Sequence, residues 1–424
     1  MTSLPVQRRA LMASNGSAAA HTSALDVATD VLFVTILGAA AYQMGLINAL
    51  GSLSFLLLAV PIGILIDRSH PLLILRLAQM VLLVLVSALL ALHLIGVLTI
   101  WLGMVLVTLI GVCTTALSAS KETLAPRLIE YDADRTSYVS RFVSRLTSTD
   151  ETVRIIAPAA SGLVITAWGA SALIGISIAL LGIALLSLTP IRRTALPAAE
   201  ASTDDDAGSA APAPKTAFWK TVTAGFTELT KLRQLLAITL LVTATNAAIS
   251  FGTAVEVIFL LEVLGLDPAL FGAALSAGAV GGLLGALVGP RLLPRFTAPQ
   301  IVVAGTLGQV VASSFYIVAA FTTLPVAVAL VFAHSVLWGF AVVAASVANM
   351  GWAASIMPES HFGRITTARR TLTMGVVPVA GLFGGVSGSV LGIVPTLAIW
   401  PCITASALVI YALVSRMRSR SASR

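Results

Sequence analysis

Long apolar runs separated by short charged breaks govern what this chain can fold into. Twelve of them follow one another, at about 10–36, 41–66, 72–94, 97–119, 137–167, 170–189, 235–261, 269–292, 299–321, 325–352, 365–390 and 395–415. A helix needs about 20 apolar residues to cross a bilayer. In lipid, a lone segment can satisfy its backbone hydrogen bonds only as a helix. The expected fold class is therefore an all-α membrane protein with twelve transmembrane helices. Composition supports this, with 58% hydrophobic and 10% charged residues against roughly 25% charged in soluble domains. The connections are short and leave no room for a separate soluble catalytic domain, so an enzyme is not expected.

Charge placement sets the expected topology. With the N-terminus inside, the outer connections fall near 37–41, 94–98, 167–170, 262–268, 321–325 and 390–395, and none holds a Lys or Arg. Nearly all 25 basic residues then lie at inner ends, loops or tails, with Arg154 the exception. Basic residues mark the cytoplasmic side, so both termini are expected there, in a cell membrane. The net charge of +7 is dispersed among apolar segments, which fits cytoplasmic loops better than a nucleic-acid partner.

Several chemistries lack a signal. No lysine follows a glycine-rich phosphate loop, so ATP-driven pumping by this chain alone is not expected. There is no nucleophile elbow and no His/Cys cluster. Cys113 and Cys402 lie in separate apolar runs and suggest neither a disulfide framework nor a metal site. No cofactor is expected. The segment after Arg8 and Arg9 is speckled with polar residues, so no removable signal peptide is read there. Gly278, Gly281, Gly282 and Gly285 follow no strand; they read as helix-packing residues and not as a nucleotide fingerprint.

The chain divides in two. Residues 190–217 carry Arg192, Arg193, the acidic run Asp204–Asp206 and an Ala/Pro stretch, a composition that cannot bury a core. Residues 218–233 can form an amphipathic helix on the inner surface. The expected domains are an N-terminal six-helix bundle over 1–189, a cytoplasmic linker over 190–233, and a C-terminal bundle with a basic tail over 234–424. The halves echo each other. Pro158 and Gly162 in the fifth run answer Pro378, Gly381, Gly384 and Gly385 in the eleventh. Pro126 after the fourth answers Pro358 after the tenth. Asp67 and Arg68 after the second answer Arg291 and Arg295 after the eighth. Two six-helix pseudo-repeats in parallel orientation are a known transporter plan, with the substrate site between the halves.

On these residues the chain resembles the major facilitator superfamily, within its drug-and-metabolite efflux branch of macrolide and siderophore exporters. Gly63, Asp67 and Arg68 carry the resemblance, with Pro126, Pro158, Gly162, Pro358, Gly363, Arg364, Pro378 and Gly381. Two stretches depart from the family pattern. The loop after Arg68 reads Ser69-His70-Pro71, with the next basic residue at Arg76. The glycine pairs of the antiporter-type fifth helix are Ala157-Pro158 and Ser161-Gly162. The resemblance implies that helices 1, 4, 7 and 10 line a central cavity. It also implies that Gly63, Asp67 and Arg68 form a gate, Asp67 facing the positive start of helix 11.

Ionisable residues at membrane depth are costly and default to functional hypotheses. Asp26 and Asp30 stand at i,i+4 in the first run, and Glu151 and Arg154 at i,i+3 in the fifth. Glu256 lies near the outer end of the seventh and His334 in the tenth, and Asn246 bonds between helices. A structural reading stands beside each. Asp26 or Asp30 would be half of an ion pair, and Glu151 and Arg154 pair with each other. Glu256 snorkels outward, and His334 is an interhelical hydrogen-bonding residue. In the functional reading Arg154 pairs with Asp30 and Asp26 carries a proton. Pro158, Gly162, Pro378 and Gly381 form a helix-packing motif.

The expected function is secondary active export of an amphipathic small molecule (a drug, antibiotic or secondary metabolite) by proton antiport and alternating access. The partners are then that molecule, protons and the bilayer, with the chain a monomer. The alternative is an importer or facilitator of a small polar nutrient. The cavity-side candidates are acidic and few amid Ala, Val and Leu, which favours an apolar or cationic substrate.

Overall fold

The computed structural model describes residues 4–68, 70–128, 135–191, 225–358 and 361–422. Twelve helices follow in order: α1 Leu4–Val31, α2 Ala41–Arg68, α3 Pro71–Leu94, α4 Ile100–Arg127, α5 Arg135–Ser187, α6 Arg233–Ile258, α7 Pro268–Leu292, α8 Ala298–Ala319, α9 Leu324–Ile356, α10 Phe362–Gly375, α11 Val377–Leu391 and α12 Ile393–Ala422. No strand occurs among the described residues. Among the described residues, ten segments are long and apolar enough to cross a membrane. One of these, Arg141–Ser187, has 47 residues and bends at Gly169, whose φ of 82° and ψ of 169° a side chain would resist. It therefore holds two spans. Counting these and the 28-residue α2 gives the twelve expected, with α10 and α11 forming one broken span.

Helix starts follow local chemistry. Thr297 caps α8 by accepting from the Gln300 N–H, and the Gln300 side chain accepts from the Thr297 N–H, a reciprocal capping box. The Thr99 side chain caps α4 by accepting from the Leu102 N–H alone. Proline opens α3, α8, α9 and α11, where the first turn needs no N–H donor.

The halves repeat in backbone detail that the residue pattern did not announce. α1 ends in a π-helical turn, Leu32–Ile36, and α6 ends in another, Phe259–Val263. Each is followed by a left-handed glycine, Gly38 and Gly265, both at φ 63°. Gly169 within α5 is answered by Gly392 after α11, at φ 92° and ψ 165°.

By internal contacts the chain forms two units. The first comprises Met1–Ala39, Leu50–Ser202 and Leu260–Ser276; the second comprises Ala40–Ala49, Thr203–Phe259 and Ala277–Arg424. In the first unit, Leu11, Leu72, Leu75, Leu124, Leu128 and Leu188 pack into one apolar core. Arg76 donates to the carbonyls of Leu188 and Ile191 at 2.7 and 2.8 Å, which satisfies the otherwise orphaned end of α5. In the second unit, Leu229, Leu235, Ala353, Met357, Ile365 and Ala368 pack together. Leu229 belongs to a short helical stretch at 225–231, while Lys231 donates to Glu228 at 2.6 Å. That bond holds the Glu228 carboxyl below its ordinary range. The rest of the expected amphipathic helix, 218–224, lies outside the described residues. Apolar side chains such as Val84, Leu163, Trp168 and Phe383 are exposed, as expected of helices that meet lipid.

One boundary differs from the sequence reading. The polar stretch beginning at Ser120 is not a loop at first, because α4 continues to Arg127. Ser120, Leu124 and Ala125 are buried, and Lys121 finds its partners inside the bundle. The drop in hydropathy there accompanies pairing within the bundle and does not end the helix.

Candidate functional site

A polar cluster stands out among the described residues of each unit. In the first, Asn15 on α1, Lys121 on α4 and Asp150 on α5 close a ring. Asn15 Nδ2 donates to Asp150 Oδ1 at 2.7 Å and to the Leu146 carbonyl at 3.2 Å. Lys121 Nζ donates to Asn15 Oδ1 at 2.6 Å and to Asp150 Oδ2 at 2.9 Å. The ion pair is neutral overall and partly buried, so both charges keep partners at membrane depth. The sequence reading placed Asn15 and Asp150 in spans but left Lys121 in a loop, and so missed the ring.

Above this ring stand the candidate acids of α1. Leu25, Val27 and Ala28 are buried, while Asp26 is exposed on the face its own unit leaves uncovered. Among the described residues the Asp26 carboxyl has no hydrogen-bond or ion-pair partner; only its backbone carbonyl is engaged, by Thr29. Glu151 and Arg154 form an exposed ion pair at 3.8 Å, one turn apart on α5. The ion pair described for Arg154 is therefore with Glu151 and not with Asp30. The side chains of Asp67 and Arg68 and the surroundings of Gly63, at the end of α2, lie outside what the structure describes, as does the gate contact expected of them.

In the second unit, four helices converge on Glu256. Tyr316 on α8 donates its hydroxyl to Glu256 Oε1 at 2.5 Å. His334 on α9 lies with Nδ1 2.8 Å from the Ala312 carbonyl. A carbonyl only accepts, so Nδ1 carries the hydrogen and Nε2 is left facing Glu256 Oε1, 4.0 Å away. The His334 ring stacks on Tyr316 with centroids 3.8 Å apart, and Trp400 on α12 closes the cluster edge-on to Trp338, 4.8 Å away. Gly252 makes room, since a Cβ there would run into the Trp400 indole. Glu256 does not snorkel to the surface; it is held by a phenol and faces an imidazole. Sequence reasoning named Glu256 and His334 separately and missed Tyr316, Trp338 and Trp400, which read as ordinary apolar-run residues.

Nearer the other end of the unit, Asn246 Nδ2 donates to the Thr373 carbonyl at 2.9 Å. Arg369 on α10 donates to Thr239 Oγ1 at 3.1 Å and Asn349 Oδ1 at 3.4 Å, both neutral oxygens. Among the described residues no group of three or more His, Cys, Asp or Glu side chains is placed to hold a metal ion.

The proline and glycine positions are close contacts. A Cβ on Gly162 would collide with the Pro268 carbonyl, and one on Gly272 with that of Pro158. In the second unit the start of α2 meets α11. A Cβ on Gly45 would come within 2.7 Å of the Gly381 carbonyl, and one on Gly385 within 2.6 Å of that of Ala41. Pro378 starts the helix that presents these glycines.

Residues 11–382 match the profile of the Major Facilitator Superfamily. No curated protein matches the sequence significantly. Solved structures superpose over nearly the whole chain. A single-site mutant of the nucleoside transporter NupG is 11% identical with a TM-score of 0.77, covering 96% of this chain and 99% of that one. A bacterial homologue of the human lysosomal transporter Spinster, inward-facing and unoccupied, is 14% identical with a TM-score of 0.71, covering 97% of each. A bacterial homologue of the iron transporter ferroportin, inward-facing, is 14% identical with a TM-score of 0.70, covering 96% and 98%. At such identities the likeness shows the fold.

Proposed function

The chain belongs to the major facilitator superfamily of secondary transporters, and from that premise we propose that it exports an amphipathic small molecule by proton antiport and alternating access. The observation that carries this reading is Asp26, an exposed carboxyl in a membrane span with no partner among the described residues. Such a group stands ready for a proton or for a cationic substrate, and competition for one acid is how antiport arises. The cavity-side candidates of the sequence, acidic and few amid Ala, Val and Leu, favour drugs and secondary metabolites over sugars. Efflux is the direction that the sequence resemblance suggests. Transport into inside-out vesicles, with a panel of antibiotics and metabolites and with or without a pH gradient, tests it. Uptake that requires an acidic lumen supports export. Accumulation only in right-side-out vesicles would replace it with nutrient import. The specific observation favouring import is Arg369, whose described partners are all neutral, leaving its charge for a polar or anionic solute.

Topology carries its own test. A cytoplasm-active reporter fused after Arg424 is expected to be active and one fused at Gly169 silent, because the basic residues lie on one side. The reverse pattern excludes the arrangement.

The gate is tested at Asp67. The family resemblance implies that its carboxylate meets the positive start of the eleventh span, where it would hold the inner side closed and release it once per cycle. Asp67→Asn is expected to slow transport severalfold, the effect of losing about 1 kcal/mol of helix-end attraction, with unchanged membrane levels. Wild-type turnover in that variant reduces Asp67 to a topology signal.

A further inference from the structure

Three successive helices carry almost no charge. From Pro268 to Pro358, across α7, α8 and α9, the sequence holds no Asp or Glu, and its only Lys or Arg residues are Arg291 and Arg295. Both stand where α7 gives way to α8, and both are exposed. Arg291 Nη1 donates to the Leu287 carbonyl at 3.0 Å, which holds this guanidinium against α7. Among the described residues no carboxylate forms an ion pair with either arginine. Their positive charge is therefore unbalanced by anything on the three helices.

Beside that turn an apolar groove of about 260 Å³ opens between α8 and α9, within the second unit. Leu292 and Phe296, each next in sequence to one of the arginines, line the end nearest the turn; Leu337 and Phe340 line it further along α9. Gln300 is its one polar side chain. The Gln300 oxygen accepts from the Thr297 N–H at 2.9 Å, so its amide NH₂ is left as a donor. The hollow comes from small residues where the helices touch. A Cβ on Gly305 would stand 2.8 Å from the Ala341 carbonyl, and Ala304 beside it adds little bulk. Along α8 the lining runs from Gln300 to Gly308, eight residues, or about 12 Å. One leaflet's hydrocarbon is about 15 Å deep, half of a core of about 30 Å. The groove thus spans most of one leaflet, with charge at one end and apolar walls beyond it. Water gains nothing in such a hollow, and its walls lack dispersion partners until an apolar chain fills it.

We propose that this groove binds one anionic phospholipid. An acyl chain lies along α8 and α9, the phosphate meets Arg291 and Arg295, and the Gln300 amide donates to a phosphate or ester oxygen. Basic pockets between transmembrane helices on the cytoplasmic side hold lipid phosphates, and a guanidinium matches phosphate geometry. Charge complementarity selects a lipid over a second copy of this chain. The same face on a copy offers no carboxylate, so its arginines would meet like charge. The site uses neither Asp26 nor Glu256, and it stands whichever way the transporter runs.

The experiment is photolabelling of the full chain in phosphatidylcholine liposomes. They carry a trace of phosphatidylglycerol, or of phosphatidylcholine, with a diazirine at the end of one acyl chain. Labelled positions are read by mass spectrometry. Labelling of 300–308 and 337–344 is divided by labelling at Phe383, which is exposed on α11 outside the groove. The phosphatidylglycerol probe is expected to give a ratio at least about fivefold above that of phosphatidylcholine, since one basic residue near the membrane surface contributes about that factor. The variant Arg291→Gln/Arg295→Gln is expected to remove this preference, and Arg291→Lys/Arg295→Lys to keep most of it. Ala304→Phe, which fills the groove with an apolar side chain, is expected to lower the ratio about tenfold for phosphatidylglycerol. Equal ratios for the two probes in the wild-type chain overturn the site. So does an unchanged phosphatidylglycerol ratio in Ala304→Phe or in Arg291→Gln/Arg295→Gln. Crosslinking of two copies through a photoreactive residue at position 304, with no lipid label in the groove, would assign the face to a dimer and overturn it too.

Discussion

Asp26→Asn is expected to abolish proton-driven accumulation while substrate exchange continues. The amide keeps the size and the hydrogen bonding of the carboxyl but cannot carry a proton. One pH unit across the membrane is worth about 1.4 kcal/mol per proton, so a one-proton antiporter sustains about a tenfold substrate gradient from it. The variant sustains none, although labelled substrate still exchanges for unlabelled. The expectation rests on position. Leu25, Val27 and Ala28 bury their side chains in the first unit, while Asp26 faces away from it. Nothing among the described residues competes for its carboxyl. Arg154, the cation nearest in expected depth, has Glu151 one turn away. Uphill accumulation in Asp26→Asn with an unaltered pH profile would move the coupling to another acid, with Glu256 next in line.

Gly385→Leu is expected to cost most of the transport rate at normal membrane levels. The backbones of α2 and α11 touch where Gly45 faces Gly381 and Gly385, and even a Cβ on Gly385 would lie 2.7 Å from the Gly45 Cα. A leucine there holds the helices apart. Overpacking of this kind costs about 1–3 kcal/mol, which lowers the population of the closely packed state roughly 5- to 150-fold. If alternating access requires that packing to form and release, turnover falls by a similar factor. Gly51→Leu is the control, because a Cβ on Gly51 meets nothing within 4 Å although it lies on the same helix. Equal flux in both variants would mean that the α2–α11 contact plays no part in the cycle.

Membrane insertion was legible in the sequence because it depends on sums along the chain. Apolar length decides whether a segment spans, and the placement of Lys and Arg points to a topology. Neither requires knowing which helix faces which. The Pro and Gly echoes carried the pseudo-repeat for the same reason, since they mark where a helix bends or is approached closely. The matching π-turns at Leu32–Ile36 and Phe259–Val263 left no such mark, because a π-turn comes from strain at a helix end and has no residue signature of its own.

Tertiary structure alone decided which polar groups meet. Asn15 and Asp150 are 135 residues apart, and Tyr316 and Glu256 are 60 apart. Whether such residues touch depends on the rotation of each helix about its axis, and a turn of one residue, about 100°, sends a side chain to another face. The polar spacing on α8 was visible as letters, yet only packing shows that Thr306, Gln309, Ser313 and Tyr316 are buried. Lys121 shows the converse. Its charge lowered the local hydropathy and suggested a loop, whereas packing against Asp150 kept it in the helix. Hydrophobicity placed the helices in the membrane, and helix rotation within each unit paired the charges that lie inside it.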